Sequence, residues 1–143
     1  MLSYLPFLKK KQDFGLLVLR LGLGAMFILH GFPKLAAGAK TWSALGGSVG
    51  AFGVPPELFL YFGFMAAMAE FAGGVCLILG LYLREACFFL LCTMFVAAQF
   101  HFAKGEGLMG ASHAIEDGIV FASLMLIGAG RYSLDQRLGR EAG

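Results

Sequence analysis

Four long apolar runs take up nearly all of this 143-residue chain, with a few charged residues inside them or at their ends. A helix needs about 20 mainly apolar residues to cross the hydrocarbon core of a bilayer, and the chain has room for four of them. Only 14% of the residues are charged, and the mean hydropathy is +0.78. A soluble helical bundle would need helices with a polar face toward water. The stretch ACFFLLCTMFVAAQF, which starts at Ala86, has none. The pattern predicts an all-α polytopic membrane protein. It is a single domain over residues 1–143, a four-transmembrane-helix bundle with spans at 14–36, 58–83, 85–103 and 112–130. Its first environment is the lipid bilayer.

The start of the chain could also be read as a secretory leader, with Lys9, Lys10 and Lys11 before an apolar stretch. Arg20 interrupts that stretch, and His30-Gly31-Phe32-Pro33-Lys34 is no clean cleavage site, so the segment is expected to remain as the first span. Pro33 is expected to kink its outer end. The 37–57 segment is rich in Gly, Ala and Ser, yet Trp42, Leu45, Val49 and Phe52 recur at helical spacing. It reads as a short amphipathic helix across the outer surface, weakened by Gly46 and Gly47 and stopped by Pro55-Pro56. The charged tail after Arg131 is expected to be an exposed or fraying end.

Lys and Arg in the flanks set orientation. Lys9, Lys10, Lys11, Arg84, Arg131, Arg137 and Arg140 fall on one side of the predicted spans, and Lys34, Lys40 and Lys104 on the other. Both termini are therefore expected in the cytoplasm. The net charge of +2 is spread thinly, which points away from nucleic acid. Cys76, Cys87 and Cys92 form no Cys-x-x-Cys pair and read as small buried hydrophobes. No His-Glu-x-x-His occurs, and no metal ligand set is assigned.

The bilayer makes polar residues expensive, so the few inside the spans carry the information. Arg20 in span one and Glu70 in span two are expected at depths about 6 Å apart and are predicted to form a buried ion pair. Gly63, Ala67, Glu70 and Gly74 share a small-residue face that turns Glu70 into the bundle. A second group gathers toward the outer ends: His30 and Lys34 on span one, Gln99 and His101 on span three, and His113, Glu116 and Asp117 on span four. These seven are predicted to line one outward-facing vestibule, as ligand-binding or proton-relay residues. Histidine suits either task, since it can bind an anion, donate to a carbonyl oxygen or pass a proton. No residue is assigned as catalytic. His30, Gln99 and His101 beside Phe95, Phe100 and Phe102 could offer a quinone an apolar slot with polar donors. Separate solvated groups and snorkelling at helix ends explain the same residues without a ligand.

Arg20, Gly24, Phe27, His30-Gly31 and Lys34, then Glu70-x-x-Gly73-Gly74 and Leu79-Gly80, then His113 to Asp117, together resemble the DoxX family of small four-span bacterial membrane proteins. The resemblance covers residues 14–132. It implies a helical bundle in the bacterial inner membrane. Family members have been linked to quinone-coupled sulfur oxidation and to membrane oxidoreductase complexes that handle oxidative stress. A quinone is the cofactor this implies. No soluble redox domain accompanies the chain, so a complete enzyme would need a redox or periplasmic partner protein. Three readings stay open: a quinone-linked redox subunit, a small-solute or proton transport protein, and a non-catalytic membrane scaffold, with homo-oligomers compatible with each.

Overall fold

The computed structural model describes residues 11–140. Lys9 and Lys10, two of the basic residues used for orientation, lie outside the described residues. The chain is all-α. Helix α1 spans Gln12–Ala36, α2 Ala39–Gly46, α3 Phe59–Leu79, α4 Leu83–Ala103, α5 Gly107–Ile127 and α6 Leu134–Arg137. Short 3-10 turns at Gly47–Phe52 and Pro56–Leu58 join α2 to α3. Helices α1, α3, α4 and α5 are each long and apolar enough to cross a membrane.

Local chemistry explains the boundaries. Helix α1 runs on through Pro33, and the Ala37 amide closes it on the Pro33 carbonyl at 3.0 Å. Helix α3 stops at Leu79, short of the residue 83 expected from hydropathy, because Gly80 turns left-handed at φ 61°. The Gly80 and Leu81 amides then satisfy the carbonyls of Leu77 and Cys76 at 3.2 and 3.1 Å, the usual glycine-ended closure of a helix. Helix α5 begins at Gly107, earlier than residue 112, and ends before Gly128, where φ is 88°.

The bundle is held by close backbone contacts. A Cβ on Gly24 would lie 2.6 Å from the Gly74 carbonyl oxygen, and one on Gly31 would overlap the Glu70–Phe71 backbone. Such glycines let membrane helices meet at short range, where dispersion and backbone dipoles replace the hydrophobic effect as the cohesive force. Gly73 receives Leu90 of α4. Phe27 of α1 meets Phe121 of α5 edge-on, with ring centroids 5.0 Å apart. Leu77, Leu90, Phe121 and Leu124 are fully buried.

The segment between α1 and α3 packs onto the protein rather than lying free on the surface. Gly46 of α2 touches the Phe59 backbone, and Gly63 of α3 touches the Trp42 carbonyl, each with no room for a Cβ. Trp42 stacks edge-on with Phe64 at 4.9 Å. The expected amphipathic helix is present, and it tightens into a 3-10 turn after Gly46.

The tail, expected to be an exposed or fraying end, is exposed at most of its residues but is tied down at Ser133 and Asp135. Ser133 caps α6 by accepting from the Gln136 amide at 3.1 Å. Asp135 is buried and accepts from the Tyr82 and Leu83 amides, both at 2.9 Å. Its own amide donates to the Gly80 carbonyl at 2.9 Å. The tail is therefore the cap of the α3–α4 turn.

Candidate functional site

Glu70 lies midway along α3 and is 5% exposed. Lys34 sits in the last turn of α1. One turn before it, Gly31 brings the α1 backbone onto the Glu70–Phe71 backbone. The Lys34 ammonium then donates to both carboxylate oxygens, at 2.7 and 2.6 Å. The Trp42 indole N–H donates to the Lys34 carbonyl at 3.0 Å and fixes the end of α1.

This overturns the predicted Arg20–Glu70 pair. Arg20 is fully buried at the other end of the bundle, where its guanidinium donates to the Tyr132 carbonyl at 2.5 Å and fills the space beside Gly80. The depth estimate took the outer ends of the first two spans as level. The glycine contacts stagger them instead. With Gly31 opposite Glu70–Phe71, α3 rises roughly 10 Å beyond α1, at 1.5 Å per residue. That projecting part carries α2.

Lys34 and Glu70 are part of the wall of a groove of about 350 Å³ between α3, α4 and the α2 segment. Its walls are apolar, with Phe62, Met65, Ala69, Phe89, Val96 and Phe100 among them. A second groove of about 540 Å³ follows the α3–α4 seam toward Tyr82 and Glu85, and shares Met65, Ala69 and Phe89 with the first. The two grooves adjoin along α3 and α4, and the pair lies in the wall of the first. It can offer a hydrogen bond or a charge to the polar end of a lipophilic molecule.

The seven predicted vestibule residues divide among separate places. Lys34 is in the groove wall; the other six are not. His30 lies edge-on to Phe27 of α1, with ring centroids 6.4 Å apart, and His113, Glu116 and Asp117 lie on α5. His30, His113 and Glu116 are exposed and Asp117 is half-buried. Gln99 is exposed on α4. His101 turns to the α4–α5 connection, with Nδ1 2.5 Å from the Glu106 carboxylate. Among the described residues no group of His, Cys, Asp and Glu is placed to hold a metal ion.

Hydrogen bonding from His101, with the positive charges of His101 and Lys104, holds the Glu106 carboxyl below the usual carboxylate range. Glu106 thus ionises more readily folded than unfolded. The stabilisation is present above the unfolded carboxyl pKa of about 4.3 and is lost as pH falls through the lower folded value. Amide protection at Gly105 and Glu106, corrected for intrinsic exchange, is expected to fall across that acid window. Glu106→Gln should remove the pH dependence, and an unchanged profile would show that the contact does not hold the turn.

Of the groove walls sequence reasoning named Phe100 alone, because Ala69, Phe89 and Val96 look like any lipid-facing residues. It also missed Trp42 as the anchor of Lys34 and Asp135 as a cap. A signal for the last was present in Ser133-x-x-Gln136, a helix-start pattern.

The DoxX family pattern matches residues 15–103. This chain belongs to the DoxX family. The matched stretch holds α1 to α4, including Arg20, His30, Lys34 and Glu70. Two full-length relatives extend the similarity across α5. An uncharacterised protein of Haemophilus influenzae is 32% identical over 136 residues, 91% of this chain and 95% of the relative. The inner membrane protein YqjF of Escherichia coli is 32% identical over 141 residues, 94% of this chain and 99% of the relative. No solved structure gives a significant match. The chain is a multi-pass membrane protein of the DoxX family.

Proposed function

We propose that this DoxX-family protein binds a quinone in the α3–α4 groove and serves as the membrane subunit of a redox system whose electrons come from a partner protein. The carrying observation is the Lys34–Glu70 pair, at 2.6 Å, in the wall of an apolar groove of about 350 Å³. A quinone has a flat ring with carbonyl oxygens and an apolar tail. The residues present fit both parts: Lys34 is a hydrogen-bond donor in the groove wall, and Phe62, Phe89 and Phe100 are apolar parts of it. Small binding sites of this composition, mostly apolar with one or two fixed polar groups, are the common form. When bound, the quinone would supply two-electron, two-proton chemistry. The chain's own residues hold the carbonyl end, keep water from the ring and position it within the bilayer.

The relative named as an inner membrane protein, together with the Lys and Arg asymmetry, supports an inner-membrane location with both termini cytoplasmic. Transport through Glu70 has less support, because both carboxylate oxygens are held by Lys34. The test is solvent extraction of the purified protein followed by quinone analysis. Wild type is expected to retain isoprenoid quinone. Ala69→Trp, which fills the groove and leaves the ion pair in place, should lose most of it without loss of helical content. Absence of quinone from wild type, or equal retention in the variant, would overturn the assignment.

A further inference from the structure

The end of the bundle that carries the α3–α4 turn and the tail is ringed with guanidinium groups. Arg84, Arg131, Arg137 and Arg140 are all exposed there. The carboxylates of the same end are taken up within the protein. Asp13 accepts from the Arg131 amide at 3.0 Å. Asp135 accepts from the Tyr82 and Leu83 amides and lies 3.6 Å from Arg140. Glu85 lies 4.0 Å from Arg140, whose guanidinium stands 3.8 Å over the Tyr82 ring. Arg140 is thus partly neutralised from inside. Among the described residues no carboxylate forms an ion pair with Arg84, Arg131 or Arg137. Surplus positive charge is left at one rim.

Helix length sets the level of this rim in the membrane. Helix α4 has 21 residues, which makes it about 32 Å long. The hydrocarbon core is about 30 Å thick. Arg84, next to the first residue of α4, therefore sits at one hydrocarbon boundary, where headgroup phosphates lie. Arg131 follows the end of α5 by about one turn. The bonds from Asp135 to the Tyr82 and Leu83 amides tie α6, which holds Arg137, to the same level. Tyr132 and Leu138 stand among these arginines and are 54% and 64% exposed. A ring and an aliphatic side chain beside cationic stems suit the boundary between hydrocarbon and headgroups.

We propose that this rim binds anionic phospholipid headgroups. Arg84, Arg131 and Arg137 take the phosphates, each planar guanidinium matching two phosphate oxygens. Tyr132 and Leu138 dip into the hydrocarbon beneath. The tail is already fixed, by Arg20 on the Tyr132 carbonyl and by Asp135 on the α3–α4 turn, so binding does not have to order it. A soluble anion fits less well, because it would leave Tyr132 and Leu138 in water. The surface is independent of the quinone assignment, since none of these arginines lines the groove that holds Lys34 and Glu70.

Electron paramagnetic resonance on vesicles that contain the whole protein tests it, with spin-labelled phosphatidylglycerol compared against spin-labelled phosphatidylcholine. Wild type is expected to favour the anionic lipid about fivefold at low salt, the factor for one guanidinium near a headgroup. The preference should fall toward unity at about 1 M salt, where charges act over only about 3 Å. Changing Arg84→Gln, Arg131→Gln and Arg137→Gln together should abolish it with helical content unchanged, and Arg137→Gln alone should reduce it. Lys40→Gln with Lys104→Gln, at the other end of the bundle, should leave it intact. Equal association of the two lipids with wild type, or an unchanged preference in the triple variant, would overturn the proposal. So would loss of the preference in the lysine variant, which would place lipid binding at the other end. Displacement of the labelled lipid by inorganic phosphate at matched ionic strength would overturn it in favour of a free-anion site.

Discussion

Replacing Lys34 with methionine is expected to destabilise the bundle by about 3 kcal/mol, the lower end of the range for breaking a buried ion pair. The loss arises from what remains. The Glu70 side chain is 7% exposed and keeps its charge or takes up a proton without a donor opposite it, whereas the Lys34 side chain is 34% exposed. The consequence is an asymmetry. Glu70→Gln leaves a lysine that can turn its ammonium toward water or lipid headgroups along a flexible stem, so its cost should be the smaller. Replacing both residues with methionine should recover most of the loss, since a well-packed apolar pair can equal a buried ionic one. Thermal unfolding in a mild detergent, followed by circular dichroism, measures all three. Equal costs for the two single substitutions, or no recovery in the double one, would show that the pair does not control stability.

The same residues show how far sequence could carry. The four helices were plain, because twenty apolar residues in a row have few other fates. That Glu70 faces inward was also readable, from Gly63, Ala67 and Gly74 at helical spacing around it. Its partner was not. Choosing between Arg20 and Lys34 needs the stagger of α1 against α3, set by Gly24 against Gly74 and Gly31 against Glu70–Phe71. Those contacts connect residues about 40 to 50 positions apart, and no local pattern encodes their register. His101 was assigned to a shared vestibule because it nears the outer surface. Its actual neighbour, Glu106, is five residues away across the turn at Gly105. Membrane level says where a side chain can be, and packing decides which way it points.

Asp135→Ala should match the loss of Lys34, from a segment that hydropathy treats as a tail. The carboxylate accepts the Tyr82 and Leu83 amides at 2.9 Å each, at the first turn of α4. Those amides belong to the unpaired donors at a helix start, where a negative charge also meets the positive end of the helix dipole. Tyr82 holds a left-handed backbone at φ 49°, a conformation that a side chain rarely adopts unaided. Removing the carboxylate leaves buried donors unmet at about 1–3 kcal/mol each, so a total loss of about 3 kcal/mol is expected. Asp135→Asn keeps one acceptor oxygen and should cost about half. Arg140→Ala removes contacts of a half-exposed guanidinium, 3.6 Å from Asp135, 4.0 Å from Glu85 and 3.8 Å over the Tyr82 ring, and contacts of this kind contribute about 1 kcal/mol or less each. The cap also ties α6 to the α3–α4 turn through the Asp135 amide on the Gly80 carbonyl. Release of that segment should therefore speed tryptic cleavage at Arg137 in Asp135→Ala and leave Arg140→Ala close to wild type. An alanine variant with wild-type melting and wild-type cleavage would mean that the α3–α4 turn holds itself, with the tail merely resting on it.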